Sequence, residues 1–99
     1  MTLPADADDK LEPMRALAGS AADYIREYGW CQGVSTDAHG RVCLIGAKNW
    51  VADTLEAGRA LTNHLCSVLP SHPLVWNDDP DRTESEVVGV LDAISEGWL

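Results

Sequence analysis

Residues 29–47 decide how this chain can fold, because they interrupt helical patterning with a run of turn formers. The run reads Gly29-Trp30-Cys31-Gln32-Gly33, then Val34 to His39, then Gly40-Arg41-Val42-Cys43-Leu44-Ile45-Gly46-Ala47. It holds four of the eight glycines, two of the three cysteines and the first of four tryptophans. On either side the apolar residues recur every three or four positions, the mark of an amphipathic helix.

Before the run, Met14, Leu17, Ala18, Ala21, Ile25 and Tyr28 form one stripe. Pro13 suits a first helical position and Gly29 a left-handed C-terminal cap, so the spacing predicts helix one over 13–28. Residues 1–12 carry little to bury and are expected to form a flexible acidic arm ahead of a single helical domain over 13–99. Within the run, Val34–Thr36 and Arg41–Cys43 flank Asp37-Ala38-His39-Gly40, which suits a short β-hairpin. A second helix follows over 43–51, in which Gly46 is tolerable if another helix crosses close to it.

Asp53 and Glu56 read as a capping box for a third helix over 54–69, ended by Pro70. Ser71 to Trp76 is expected to be extended by its prolines and to finish in an Asn77-Asp78 turn that caps its own backbone. Thr83 and Glu86 make a second capping box, leading into the stripe Val87, Leu91, Ile94 and Trp98. The expected fold is mostly α: a compact four-helix domain with one short β-hairpin between helices one and two. Leu17, Ala21, Ile25, Trp30, Cys43, Leu61, Leu65, Trp76, Leu91 and Ile94 are its expected core.

Charge is distributed unevenly. The chain carries a net −9, of which −3 lies in residues 1–12 and −6 in residues 76–99, while residues 13–75 balance. No basic face exists to neutralise phosphates, which argues against direct nucleic-acid binding. No apolar run is long enough to span a membrane, and the first residues lack the basic and apolar regions of a secretory signal. A cytoplasmic location with reduced thiols is the expectation.

The segments ending in Gly29-Trp30-Cys31-Gln32-Gly33, then Cys43-Leu44-Ile45-Gly46-Ala47, Trp76-Asn77-Asp78 and Thr83-Glu84-Ser85-Glu86-Val87 resemble a family of small uncharacterised proteins of actinobacteria and their phages. The resemblance spans residues 14–96. It implies a helical fold and a host protein as the target, and it carries no activity. Gly29, Trp30, Cys43, Gly46, Trp76, Asn77 and Asp78 are its motif positions, with Cys43 and Asn77-Asp78 expected to be more regular than Cys31.

Four chemistries can be weighed on the residues themselves. Cys43 as nucleophile, His64 or His72 as base and Asn77 or Asp78 as orienter follow the order of some thiol hydrolases, but Cys43 lies on an apolar helical face, where a cysteine is usually a small core residue. A metal site drawn from Cys31, Cys43, His64, Cys66 and His72 lacks paired ligand spacing, so neither metal nor cofactor is expected. Asp78, Asp79 and Asp81 collide with Pro80 and lack the glycine and terminal glutamate of a calcium loop. The glycines stand in no phosphate-binding context.

Interaction remains the leading function class. Glu84, Glu86, Asp92 and Glu96 are expected to face solvent beside Trp98, a surface that fits a host or cellular protein with a basic surface. The alternatives are a small thiol-dependent hydrolase using Cys43, and an acidic DNA mimic that inhibits a nucleic-acid-binding protein.

Overall fold

The structure is a computed structural model that describes residues 5–99, with side chains from Leu11 onward. Five helices are present among the described residues: α1 (Ala5–Tyr28), α2 (Leu44–Val51), α3 (Leu55–Val68), α4 (Pro73–Asn77) and α5 (Glu84–Glu96). Helix α1 is the spine. It packs against α5, α2 and α3, and its stripe of Met14, Leu17, Ala18, Ala21 and Ile25 is buried at the centre of the core. Leu61 and Leu65 of α3 and Val87, Leu91 and Ile94 of α5 complete that core.

Helix α1 begins at Ala5, ahead of the boundary expected at Pro13. A proline removes one backbone donor and leaves the turns before it intact, and Ala5 to Glu12 is rich in good helix formers. Residues 1–4 of the expected flexible arm lie outside the described residues. At its other end α1 stops at Gly29, whose φ of 96° is the left-handed cap the sequence called for.

No hairpin ladder forms. Val42 makes two isolated bridges, parallel to Trp30 and antiparallel to Thr36, so residues 30–43 form a knot of single pairings instead of two strands. Segments of about three residues are too short to hold a ladder, and each pairing is instead stitched individually: Cys31 N–H to Val42 at 3.0 Å, Val42 N–H to Gly29 at 3.0 Å and Cys43 N–H to Ser35 at 3.1 Å. Val42 itself is fully buried.

Two helix starts also differ from expectation. Thr54, not Asp53, caps α3, its hydroxyl accepting from the Ala57 N–H, and Leu55 at the first position points into solvent. Residues 73–77 are helical instead of extended, because Pro73 occupies the first helical turn, where its missing N–H is harmless. The Thr83–Glu86 capping box of α5 is formed as read. Of the expected core only Trp30 is less than buried, since its indole N–H is used in a polar contact at the edge of the core.

Gly89, in the exposed middle of α5, has nothing within 4 Å of where a Cβ would sit. Gly89→Ala should therefore stabilise the protein by roughly 0.5 to 1 kcal/mol, the propensity difference alone, read as a higher urea midpoint.

Candidate functional site

The motif segments meet at Asn77. This side chain is fully buried at the end of α4, and three of its four hydrogen bonds reach distant parts of the chain. Its Oδ1 accepts from the Trp30 indole Nε1–H at 2.8 Å and from the Leu44 backbone N–H at 3.0 Å. Its Nδ2 donates to the Cys31 carbonyl at 3.2 Å and to Asp78 Oδ1 at 3.0 Å. The amide orientation is fixed by chemistry, because two donors face one end and two acceptors the other.

Around this residue the loops are cross-tied. Asp78 Oδ1 also accepts from the Gly33 N–H at 3.0 Å. Gln32 Nε2 donates to the carbonyls of Asn77 and Asp79, at 3.0 and 2.7 Å. The Arg82 guanidinium lies 3.9 Å above the centroid of the buried Trp76 ring, while its Nε donates to the Trp76 carbonyl at 2.9 Å. Among the described residues no buried side-chain nitrogen or oxygen lacks a partner. A network satisfied at every atom fixes one arrangement, since any slip leaves a buried polar group unpaired.

Cys43 belongs to the same knot. It is the N-cap of α2, its Sγ accepting from the Gly46 N–H at 3.3 Å, with the side chain 2% exposed. Leu44, the next residue, gives its otherwise unpartnered helix-start N–H to Asn77, so a sulfur and an amide oxygen together close the start of α2. A Cβ on Gly46 would lie 2.9 Å from the Ser35 carbonyl carbon and nearer still to its oxygen. The close neighbour expected at Gly46 is thus the backbone of the 30–43 loop and not a crossing helix.

The remaining candidates scatter. His64 Nε2 lies 2.9 Å from the Leu99 carbonyl oxygen, and His72 Nδ1 accepts from the Leu74 N–H at 3.2 Å as the cap of α4. Burial raises the pKa of the Cys31 thiol, with the charges of Asp37 and Cys43 adding to the effect, and its one S–H proton has two carbonyl acceptors in reach, Val34 at 3.4 Å and Arg41 at 3.3 Å. Such a thiol is held protonated, the opposite of an activated nucleophile. Among the described residues no group of three or more His, Cys, Asp and Glu side chains converges as metal ligands.

The acidic residues divide into two groups. Asp92 forms an ion pair with Arg26, and Glu86 holds Thr83 and Arg82, so both have structural employment. Glu84 and Glu96 are exposed and make no ion pair among the described residues. Trp98 is 80% exposed, just beyond the left-handed Gly97 that ends α5.

A family model described as a family of unknown function, DUF6197, matches residues 10–96. The chain belongs to this family. No curated protein and no solved structure matches it at a significant level. The DUF6197 match covers every residue of the Asn77 network and all of α5. The sequence suggests a turn in which Asn77 bonds its own neighbourhood, which holds for Asp78 alone, and it assigns no role to Gln32 or Arg82. Arg82 had one legible signal, its i,i+4 spacing to Glu86; the partners of Gln32, 45 and 47 positions away, had none.

The Thr83 backbone N–H, bonded to Glu86 Oε1 at 3.0 Å, lowers the Glu86 pKa from its ordinary value of 4.5. Desolvation opposes the shift, and the Thr83 hydroxyl and Arg82 add to it. A lowered folded-state pKa means stabilisation that is complete above the ordinary value and disappears as pH falls through the folded one. Glu86→Gln keeps the capping geometry and removes the charge. It should be less stable than the parent at neutral pH, with the gap in urea midpoint closing progressively below pH 4.5.

Proposed function

We propose that this protein is a non-enzymatic binding module whose acidic end docks on a basic surface of another protein. The observation that carries the reading is Trp98, an aromatic side chain 80% exposed and two residues from Glu96, whose carboxylate makes no ion pair among the described residues, in a chain of net charge −9. Large aromatic residues with an apolar body and one polar atom are the usual anchors of protein interfaces, and unpaired carboxylates around them steer a cationic partner. If the resemblance in sequence to small proteins of actinobacteria and their phages extends to their role, that partner is a host protein in the cytoplasm, bound by a phage or phage-derived product.

A thiol hydrolase has less support. The Cys43 sulfur is engaged in capping α2, and His64 is turned to Leu99. The acidic DNA-mimic reading shares the charge but gives Trp98 no task.

Steering of this kind lives in the association rate and weakens as salt is raised above about 0.1 M, where the Debye length is about 10 Å. With the partner recovered by affinity capture, association should slow with added salt and slow further in Glu84→Gln with Glu96→Gln, while dissociation changes little. Trp98→Ala should speed dissociation. An association rate indifferent to salt and to both carboxylates would contradict the reading.

A further inference from the structure

The Asn77 network holds in place a helix that has no stability of its own. Helix α4 is five residues long, far below the roughly 12 to 15 at which an isolated helix becomes even marginal in water. Its inner side, Pro73, Trp76 and Asn77, is buried. Its outer side presents Leu74, 44% exposed, and Val75, 64% exposed. These two line a shallow groove with Asp78, Asp79 and Pro80. Trp76 under Arg82, the His72 cap, the Gln32 cross-ties and Asn77 all act on this one turn. The result is two aliphatic side chains, Leu74 about half-exposed and Val75 mostly exposed, held at the surface by a turn that is fixed from within.

Charge selects what could cover them. Asp78, Asp79 and Asp81 make no ion pair among the described residues, and the nearby cation, Arg82, is committed to Trp76 and Glu86. A second copy of the chain would bring another net −9 against this rim. We infer that the α4 face formed by Leu74, Val75 and Pro80 is a docking surface for a cationic segment of a partner protein, one that sets an aliphatic side chain between its basic residues. The apolar groove takes the aliphatic group and the aspartates take the flanking charges. The inference rests on the binding-module reading and names a face that reading did not include. Because the network sets α4 beforehand, the surface needs no ordering on binding, which removes a usual cost of association.

The test uses the whole protein, ¹⁵N-labelled, and two synthetic peptides of equal charge: one alternating arginine with leucine, the other arginine with serine. Amide shifts should centre on Leu74, Val75 and Asp79 and saturate with the arginine–leucine peptide. The arginine–serine peptide should bind more weakly. Val75→Ser, at an exposed position, should weaken the arginine–leucine peptide by about tenfold or more, the scale of a valine side chain leaving an apolar contact. Asp79→Asn, which keeps the acceptor for the Asp81 N–H, should weaken both peptides. Equal binding of the two peptides, or no saturable binding of either, would overturn the inference. Shifts centred on Glu96 and Trp98, unaffected by Val75→Ser, would also overturn it while leaving the binding-module reading standing. That reading fails separately, through an association rate insensitive to salt.

Discussion

Asn77→Ala should destabilise this protein by about 3 to 6 kcal/mol, since two or three buried groups lose their only partner and each costs about 1 to 3 kcal/mol. The Trp30 indole N–H, the Leu44 N–H at the start of α2 and the Cys31 carbonyl are those groups. A chain of this size has roughly 5 to 15 kcal/mol of stability in total, so the variant should sit near the edge of folding at 25 °C. Asn77→Asp should fare little better. One carboxylate oxygen could still accept from Trp30 and Leu44, but the other would face the Cys31 carbonyl and the Asp78 carboxylate, acceptor against acceptor. Urea unfolding followed by tryptophan fluorescence measures both.

Gly46→Ala is the second large effect, and its sign is informative. On helix propensity alone the change would stabilise α2 by about 1 kcal/mol. Against that stands the Ser35 carbonyl, which the new methyl would drive out of place and which accepts the Cys43 N–H. Backbone cannot swing aside as a flexible side chain does, so the clash dominates, with a net loss of about 3 kcal/mol, at the upper end of overpacking costs. Gly89→Ala, free of any neighbour, isolates the propensity gain in the same measurement.

How much of this was legible follows from the range of the interactions. The α1 stripe from Met14 to Ile25, the Gly29 cap and the Thr83–Glu86 box rest on residues within one or two turns of their neighbours and stand where the sequence placed them, whereas Tyr28, read as the end of the stripe, is 55% exposed. Helix α4 was hidden because Pro70 and Pro73 read as breakers, whereas Pro73 sits in the one turn where proline is harmless. The hairpin failed for the opposite reason: its local turn signals were sound, but Val42 is shared between Trp30 and Thr36 instead of starting a ladder. Asn77 could be placed beside a buried Trp76 by sequence, yet three of its four partners lie 33 to 47 residues away, and no spacing rule reaches that far. Of the acidic end, the exposure of Glu84 and Glu96 was legible, whereas Trp98, read as the end of the α5 stripe, lies past the Gly97 cap and is 80% exposed, and the pairing of Asp92 with Arg26 was hidden because it joins two helices 66 residues apart.

The central claim is that the Asn77 network is a rigid scaffold that ties the 30–43 loop, the start of α2 and α4 together. Native-state hydrogen exchange at the Trp30 indole N–H and the Leu44 amide tests it most directly, since both donate to Asn77 Oδ1. If the network is the scaffold, both protons exchange only through global unfolding, with the same opening free energy and urea dependence as the Leu91 amide in the core of α5. Exchange of either through a local opening, fast and independent of urea while Leu91 stays protected, would contradict it.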